Sequence, residues 1–131
     1  MLICSLISLF RPSSDTLLVG SYTQQGNSGI EFIQASNGKK LTEIEVPQAS
    51  YQYLTADGQY LFSVSEQVKN QGAVFSFKKN AQGNWEKINQ QVTEGDAPCH
   101  VNFRTKSQTL YTANYMGGSV SIFQTKRGKI E

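Results

Sequence analysis

The stretch QYLFSVSEQVKNQGAVFSF, residues 59–77, contains the pattern that best predicts the architecture, because this pattern occurs three times along the chain. In this stretch an apolar segment ends in a polar residue, and a glycine then opens a second segment in which apolar and polar side chains alternate. TLLVGSYT with GIEFIQ lies before it, and QTLYTANY with GSVSIF lies after it. A third segment follows Gly38, Gly83 and Gly128, which are spaced by 45 residues in both intervals. The chain is therefore built from a repeat of about 45 residues.

The repeat predicts an all-β protein. Apolar residues alternate with Ser, Thr and Gln instead of recurring every three or four positions, as expected of strands. A repeat of this length built only of short strands is typical of a β-propeller, whose blades are four-stranded antiparallel sheets. We therefore expect a partial β-propeller over residues 16–131, with blade-like repeats at about 16–50, 51–97 and 98–131. Residues 1–15 are interpreted as an N-terminal extension or a clipped targeting segment.

Each part of the repeat has a predicted place in the blade. TLLVGSYT, LFSVSE and LYTANY carry β-branched and aromatic residues with little charge, which favours the innermost strand of each blade. The turns at 56–59, 80–84 and 126–129 supply the Gly and Asn or Asp that positive φ angles require. The last of these turns, KRGK, is interpreted as a solvated turn in preference to a phosphate-binding patch. Trp85 and Phe77 are expected to pack between blades.

Charge and cysteine content exclude several classes of partner. The formal net charge of +2 is spread over the chain without a Lys/Arg block, so neither a nucleic acid nor a membrane is predicted as a partner. Cys4 and Cys99 lie far apart without metal-ligand spacing, so we expect no metal and favour free thiols over a disulfide. The apolar run MLICSLISLF is too short to span a bilayer and lacks the charged start of a complete signal peptide. A cytoplasmic location is expected, or a periplasmic one if that run is a clipped signal.

The number of repeats raises a difficulty. Propellers close with four to eight blades, whereas this sequence holds three copies, and the third stops inside its last strand at Ile130 and Glu131. The sequence is therefore interpreted as the N-terminal portion of a longer propeller. The oligomeric state stays open, because copies of such a piece could also assemble into a ring.

Several of these segments resemble one family. LLVGSYT, LFSVSE followed by GAVFSF, and above all GDAPCHVNF followed by LYTANYMGGSVSIF are similar to the lactonase family of seven-bladed β-propellers, which includes bacterial 6-phosphogluconolactonases. The resemblance covers residues 16–131 and implies about three blades of seven. It also implies hydrolysis of a sugar-acid lactone, typically 6-phosphoglucono-1,5-lactone to 6-phosphogluconate in the pentose phosphate pathway, without a metal or an organic cofactor.

The resemblance and the repeat together indicate five site residues. His100, the only histidine, is the candidate general base, and Glu66 is expected to orient its imidazole or to act as base itself. Asn114 and Tyr115 occupy the position in the third copy that Ser65 and Glu66 hold in the second and Ser21 and Tyr22 in the first. Asn114, Tyr115 and Tyr22 are therefore candidate substrate contacts. The alternative for His100 is a hydrogen-bonded structural group, and for the two tyrosines it is packing between blades.

Whether the chain is itself an enzyme stays open at this point. The sequence supplies no Arg or Lys at the predicted inner positions to hold a phosphate, so such residues are expected from further blades. The competing hypotheses are a non-catalytic propeller that binds a ligand or a protein on its central face, and a truncated product that cannot fold alone.

Overall fold

The computed structural model of the protein describes residues 15–131 and is almost entirely β-structure. The predicted N-terminal extension with its apolar run and Cys4 lies outside the described residues, apart from Asp15. A single turn of 3-10 helix spans Thr23–Gln25. No helix among residues 15–131 is long and apolar enough to cross a membrane. The eleven strands are β1 (Thr16–Gly20), β2 (Gly29–Gln34), β3 (Lys40–Glu45), β4 (Gln52–Leu54), β5 (Tyr60–Ser65), β6 (Ala73–Lys79), β7 (Trp85–Val92), β8 (Pro98–Arg104), β9 (Thr109–Asn114), β10 (Ser119–Lys126) and β11 (Lys129–Ile130).

The strands form three separate antiparallel sheets, each of which follows the order of the chain. Sheet 1 contains β1 to β3, sheet 2 contains β4 to β7, and sheet 3 contains β8 to β11. The turn before the last strand of each sheet holds a glycine with positive φ, namely Gly38 at 71°, Gly83 at 85° and Gly128 at 81°. These are the three glycines whose 45-residue spacing revealed the repeat, and their left-handed backbone explains why glycine recurs there. The all-β prediction is confirmed.

Two of the three predicted innermost strands are second in their sheets, whereas the third, TLLVGSYT, contains β1, which lies at an edge of sheet 1. LFSVSE and LYTANY form β5 and β9, and each of these strands is hydrogen-bonded to neighbours on both sides. An innermost strand must have one free edge toward the channel, so β5 and β9 are second in their sheets. The first strands are β4 and β8, which the three-part phrase does not include. As a result His100 lies within an edge strand, which Pro98 opens.

Two apolar cores hold the sheets against one another. Alternate side chains of β5 and β6 point to opposite faces, so sheet 2 contributes to both cores. The core between sheets 1 and 2 contains Leu61, Phe75 and Phe77, and the Trp85 ring stacks on Phe32 with ring centroids 5.8 Å apart. The expected packing of Trp85 and Phe77 between blades is therefore confirmed. The core between sheets 2 and 3 contains Phe62, Val64, Val74, Val101, Phe103, Leu110 and Ile130.

Hydrogen bonds fix the last strand of sheet 3 against sheet 2. The side-chain amide of Asn89 on β7 donates to the carbonyl of Ile130 at 2.8 Å and accepts from its N–H at 3.1 Å. The Ser76 hydroxyl on β6 donates to the carbonyl of Gly128 in the KRGK turn. These bonds satisfy buried backbone groups that no neighbouring strand reaches. They fix the position of sheet 3, and so of His100, relative to sheet 2.

Candidate functional site

Three of the predicted site residues follow the strand that begins one of the hairpins β1–β2, β5–β6 and β9–β10. Tyr22 follows β1, Glu66 follows β5 and Tyr115 follows β9, while His100 lies near the start of β8. We call this end of the sheets, with the connections 46–51 and 93–97 that cross it, the upper rim. Antiparallel neighbours bring the ends of the second strands and the starts of the first strands to one side. The fold therefore places these four residues on one surface.

Matching backbone hydrogen bonds in two copies hold the upper rim against the neighbouring connections. The N–H of Glu66 donates to the carbonyl of Gln48 at 2.9 Å, and the N–H of Tyr115 donates to the carbonyl of Ala97 at 2.9 Å. Gln48 and Ala97 both have left-handed backbones, with φ of 51° and 53°. Glu66 and Tyr115 are therefore equivalent in the structure, as the alignment of the repeats predicts.

Tyr22 and Glu66 join the rims of sheets 1 and 2. The phenol of Tyr22 donates a hydrogen bond to Oε2 of Glu66 at 3.0 Å. This bond to a carboxylate favours the neutral phenol, and it is the largest reason why the pKa of Tyr22 lies above its ordinary value, with smaller contributions from burial and from the charges of Glu66 and Cys99. Among the described residues Tyr22 is 51% exposed, and its side chain is held by this hydrogen bond. One carboxylate oxygen of Glu66 is thus held in place while the other is left for a further contact.

His100 lies exposed at a break in the register between β8 and β9. The register shifts between Pro98 and His100, a local irregularity of the kind that redirects a side chain at the edge of a sheet. The imidazole packs on the ring of Tyr51, with centroids 4.3 Å apart and an interplanar angle of 39°. Among residues 15–131 the structure shows no hydrogen bond from His100 to Glu66, so the expected orientation of the imidazole by Glu66 is not seen. Tyr51 is its aromatic neighbour instead.

Asn114 belongs to the interior and not to the exposed part of the rim. It is 2% exposed, and its amide nitrogen donates to the hydroxyls of Ser119 at 3.1 Å and Ser121 at 2.9 Å. Ser121 in turn donates to the carbonyl of Thr93 in the connection that precedes β8. The expectation that Asn114 contacts substrate is thus replaced by a structural role, because its donors are used to hold the β9–β10 turn against that connection. Tyr115, the next residue, is 73% exposed and remains available to a ligand.

Sequence reasoning missed two features of the rim. Tyr51 has no sequence signal, because it precedes a strand of only three residues that the repeat pattern does not reveal. The second feature is a cavity of about 420 Å³ beside Glu66, whose lining includes Gln24, Gln48, Gln67, Gln71 and Lys69. The composition of the loop 66–72, with its three amide side chains and one lysine, was the available signal. Among residues 15–131 there is no cluster of three or more His, Cys, Asp or Glu that could hold a metal ion.

Comparison with known proteins gives one consistent result. The family model described as lactonase, 7-bladed β-propeller, matches residues 16–131. A 6-phosphogluconolactonase of Bacillus subtilis (strain 168) is 32% identical over 112 residues, which cover 80% of this chain and 32% of the relative. A 6-phosphogluconolactonase of Formosa agariphila is 29% identical over 124 residues, covering 88% of this chain and 35% of that protein.

Solved structures show the same likeness. A Bacteroides fragilis protein, provisionally named a 6-phosphogluconolactonase, superposes with a TM-score of 0.78 at 32% identity, covering 92% of this chain and 36% of that one. A similarly named protein of Bacteroides uniformis gives a TM-score of 0.76 at 30% identity, over 89% of this chain and 36% of its own. The chain therefore spans about a third of the length of the relatives that it matches.

Proposed function

This chain belongs to the lactonase family of seven-bladed β-propellers, and from that membership we propose that it forms part of a hydrolase acting on a sugar-acid δ-lactone. The proposed substrate is 6-phosphoglucono-1,5-lactone and the product is 6-phosphogluconate, an assignment supported by the names of the two relatives above. The reaction belongs to the pentose phosphate pathway.

Hydrolysis of a lactone needs a base and a polar surface. A base takes a proton from water as its oxygen bonds to the carbonyl carbon, and the ring C–O bond then breaks to leave a carboxylate and a hydroxyl. The charge that develops on the carbonyl oxygen needs hydrogen-bond donors nearby. The upper rim offers two groups able to accept a proton, Glu66 and His100, and an exposed phenol, Tyr115, able to donate.

The Tyr22–Glu66 hydrogen bond is the observation that carries this proposal. It fixes a carboxylate on an exposed surface at the junction of two sheets, where no packing requirement explains a charged group. We assign general-base catalysis to His100 or to Glu66, with Tyr22 as the residue that positions the carboxylate and Tyr115 as a substrate contact. The proposed reaction uses no metal ion and no organic cofactor.

We further propose that additional blades complete the site. The outer sheets expose large apolar side chains, with Leu17 and Leu41 on sheet 1 at 53% and 50%, and Val120 and Ile122 on sheet 3 at 62% and 63%. Neighbouring blades cover such surfaces in a closed propeller, in the way that sheets 1 and 3 cover the two faces of sheet 2. Those blades would supply the remaining walls of the cleft.

The proposal is tested by hydrolysis of 6-phosphogluconolactone, measured on this chain and on its longest in-frame extension. We expect the extended protein to hydrolyse the lactone. The variant that removes the general base, His100→Ala or Glu66→Gln, should lower the hydrolysis rate at least about a hundredfold. Glu45→Gln, which alters an exposed carboxylate on β3, is the matched control and should keep full activity. Folded protein without lactonase activity in either form would instead favour the second hypothesis, a propeller that binds a ligand without turnover.

A further inference from the structure

We propose that the cavity beside Glu66 is the subsite for the phosphorylated end of the substrate, and that Lys69 makes the protein prefer a lactone that carries a phosphate. This inference rests on the function proposed above and names a specificity-determining residue for it. It also alters the sequence-based expectation that every cation for the phosphate must come from further blades.

The cavity has the composition of a site for a polyol. Its volume of about 420 Å³ lies in the range of small-molecule pockets, which begins near 300 Å³. The side-chain amides of Gln24, Gln48, Gln67 and Gln71 line it, and each amide both donates and accepts hydrogen bonds. Oε1 of Gln48 is buried and has no hydrogen-bond partner among the described residues, so this lining residue has an unused acceptor.

The loop that carries Lys69 is anchored at both sides. The carbonyl of Gln67 accepts from the N–H of Ala97 at 2.8 Å, and the N–H of Asn70 donates to Oδ1 of Asp96 at 2.8 Å. Between these anchors Lys69 and Asn70 have successive left-handed backbones, with φ of 60° and 59°. Residues other than glycine rarely adopt this conformation, and two in succession persist here because the flanking bonds hold them. The backbone therefore presents the Lys69 side chain at a defined point beside the cavity.

The ammonium group of Lys69 has no acidic partner in the described part of the chain. The ion pairs among residues 15–131 are those that Lys40 makes with Glu31 and Glu43, on sheet 1. A lysine at the wall of a polar cavity without a neutralising carboxylate is suited to bind a phosphate.

Glu66 lines the same cavity and would repel a phosphate placed next to it. In 6-phosphogluconolactone the ester carbonyl at C1 and C5, which carries the phosphorylated C6, flank the ring oxygen, and rotation about the C5–C6 bond sets where the phosphate points. One orientation of the substrate satisfies both charges, with the ester toward Glu66 and the phosphate toward Lys69. The carboxylate and the ammonium therefore define the direction in which the lactone binds.

The test compares a phosphorylated with an unphosphorylated lactone on the full-length protein. We expect Lys69→Gln to lower kcat/KM for 6-phosphogluconolactone by roughly tenfold and to leave kcat/KM for glucono-δ-lactone unchanged, because one charge-assisted contact is lost only for the first. Lys69→Arg should restore most of the preference. Lys106→Gln, which removes an exposed lysine from the turn between β8 and β9, is the matched control. An equal effect of Lys69→Gln on both lactones, or none on either, overturns the proposal.

A binding measurement separates this inference from the proposed function. If the wild-type protein hydrolyses neither lactone, the proposed activity fails, and calorimetric titration with 6-phosphogluconate and gluconate then decides the role of the cavity. Tighter binding of 6-phosphogluconate that Lys69→Gln abolishes supports an anion subsite. Equal affinity of wild type and Lys69→Gln for 6-phosphogluconate, including no binding by either, overturns it.

Discussion

Replacing Gly95 with alanine should destabilise the protein through Asn114, and the size of the effect follows from the geometry between them. A Cβ atom at position 95 would lie 2.7 Å from Cγ and 2.8 Å from Cβ of Asn114, both well inside van der Waals contact. Asn114 is 2% exposed and its amide nitrogen is held by Ser119 and Ser121, so the side chain cannot rotate away without losing those bonds. Overpacking of a buried site costs about 1–3 kcal/mol, and we expect Gly95→Ala to reach the upper half of that range.

A double-mutant cycle tests whether the clash is the cause. Asn114→Ala alone should cost about 1–3 kcal/mol, because it leaves two hydroxyl groups without their partner. The same truncation removes Cγ and so relieves part of the clash at position 95, although the Cβ contact remains. The double variant should therefore be more stable than the sum of the single effects predicts, by at least about 0.5 kcal/mol. Urea denaturation measures all four proteins. Strict additivity would refute the reasoning and reopen a substrate contact for Asn114.

Three further predictions follow from contacts described above. Asn89→Ala should lower the free energy of unfolding by about 1–3 kcal/mol, since it removes both hydrogen bonds to the backbone of Ile130. A loss of less than about 0.5 kcal/mol in a denaturant titration would contradict this expectation. Phe62→Ala should cost about 3–5 kcal/mol in the same assay, because the ring is fully buried between sheets 2 and 3, and a smaller loss would mean that the core collapses around the gap. The pKa of Tyr22 is raised in the folded protein, so its hydrogen bond to Glu66 stabilises the fold fully below the pKa of the unfolded phenol. This stabilisation is lost as the pH rises through the pKa of the folded phenol. Glu66→Gln should therefore shift one phenolate transition, followed by absorbance near 295 nm, to lower pH, and an unchanged titration would contradict the argument.

The repeat was predictable because the residues that define it are constrained by the backbone alone. Gly38, Gly83 and Gly128 have positive φ, and few other residues tolerate that conformation, so the period of the fold is visible as a period of glycines. The first strands of sheets 2 and 3 have no such glycine. β4 has only three residues and β8 begins with Pro98, and both are strands because β5 and β9 pair with them. Pairing of this kind is a tertiary effect that local pattern does not encode.

The same distinction explains which site residues were found. Glu66, Tyr115 and Tyr22 follow equivalent strands, so alignment of the copies is enough to predict their equivalent positions. Lys69 has no counterpart in the third copy, where only residues 115–118 separate β9 from β10. A residue in a loop of unequal length cannot be placed by a repeat. Its relation to the cavity depends on the anchors at Asp96 and Ala97, which come from a different connection of the chain.

On the upper rim, some positions are fixed by the backbone alone, whereas others are fixed by their side chains. Only the first kind leaves the side chain free for a part in the proposed reaction. In two copies the position of the residue after the second strand is fixed by its own backbone N–H, which donates to a left-handed residue of the neighbouring connection. Its side chain is not needed for that bond, so one copy holds Glu66 and the other Tyr115 without a change in the backbone. The preceding residue has no such freedom, because Asn114 uses its side chain to hold the sheet together. Glu66→Gln and Tyr115→Phe should therefore alter activity with little change in stability, whereas substitution of Asn114 should alter stability first. That difference between the two sets of variants would separate the proposed catalytic surface from the backbone arrangement that supports it.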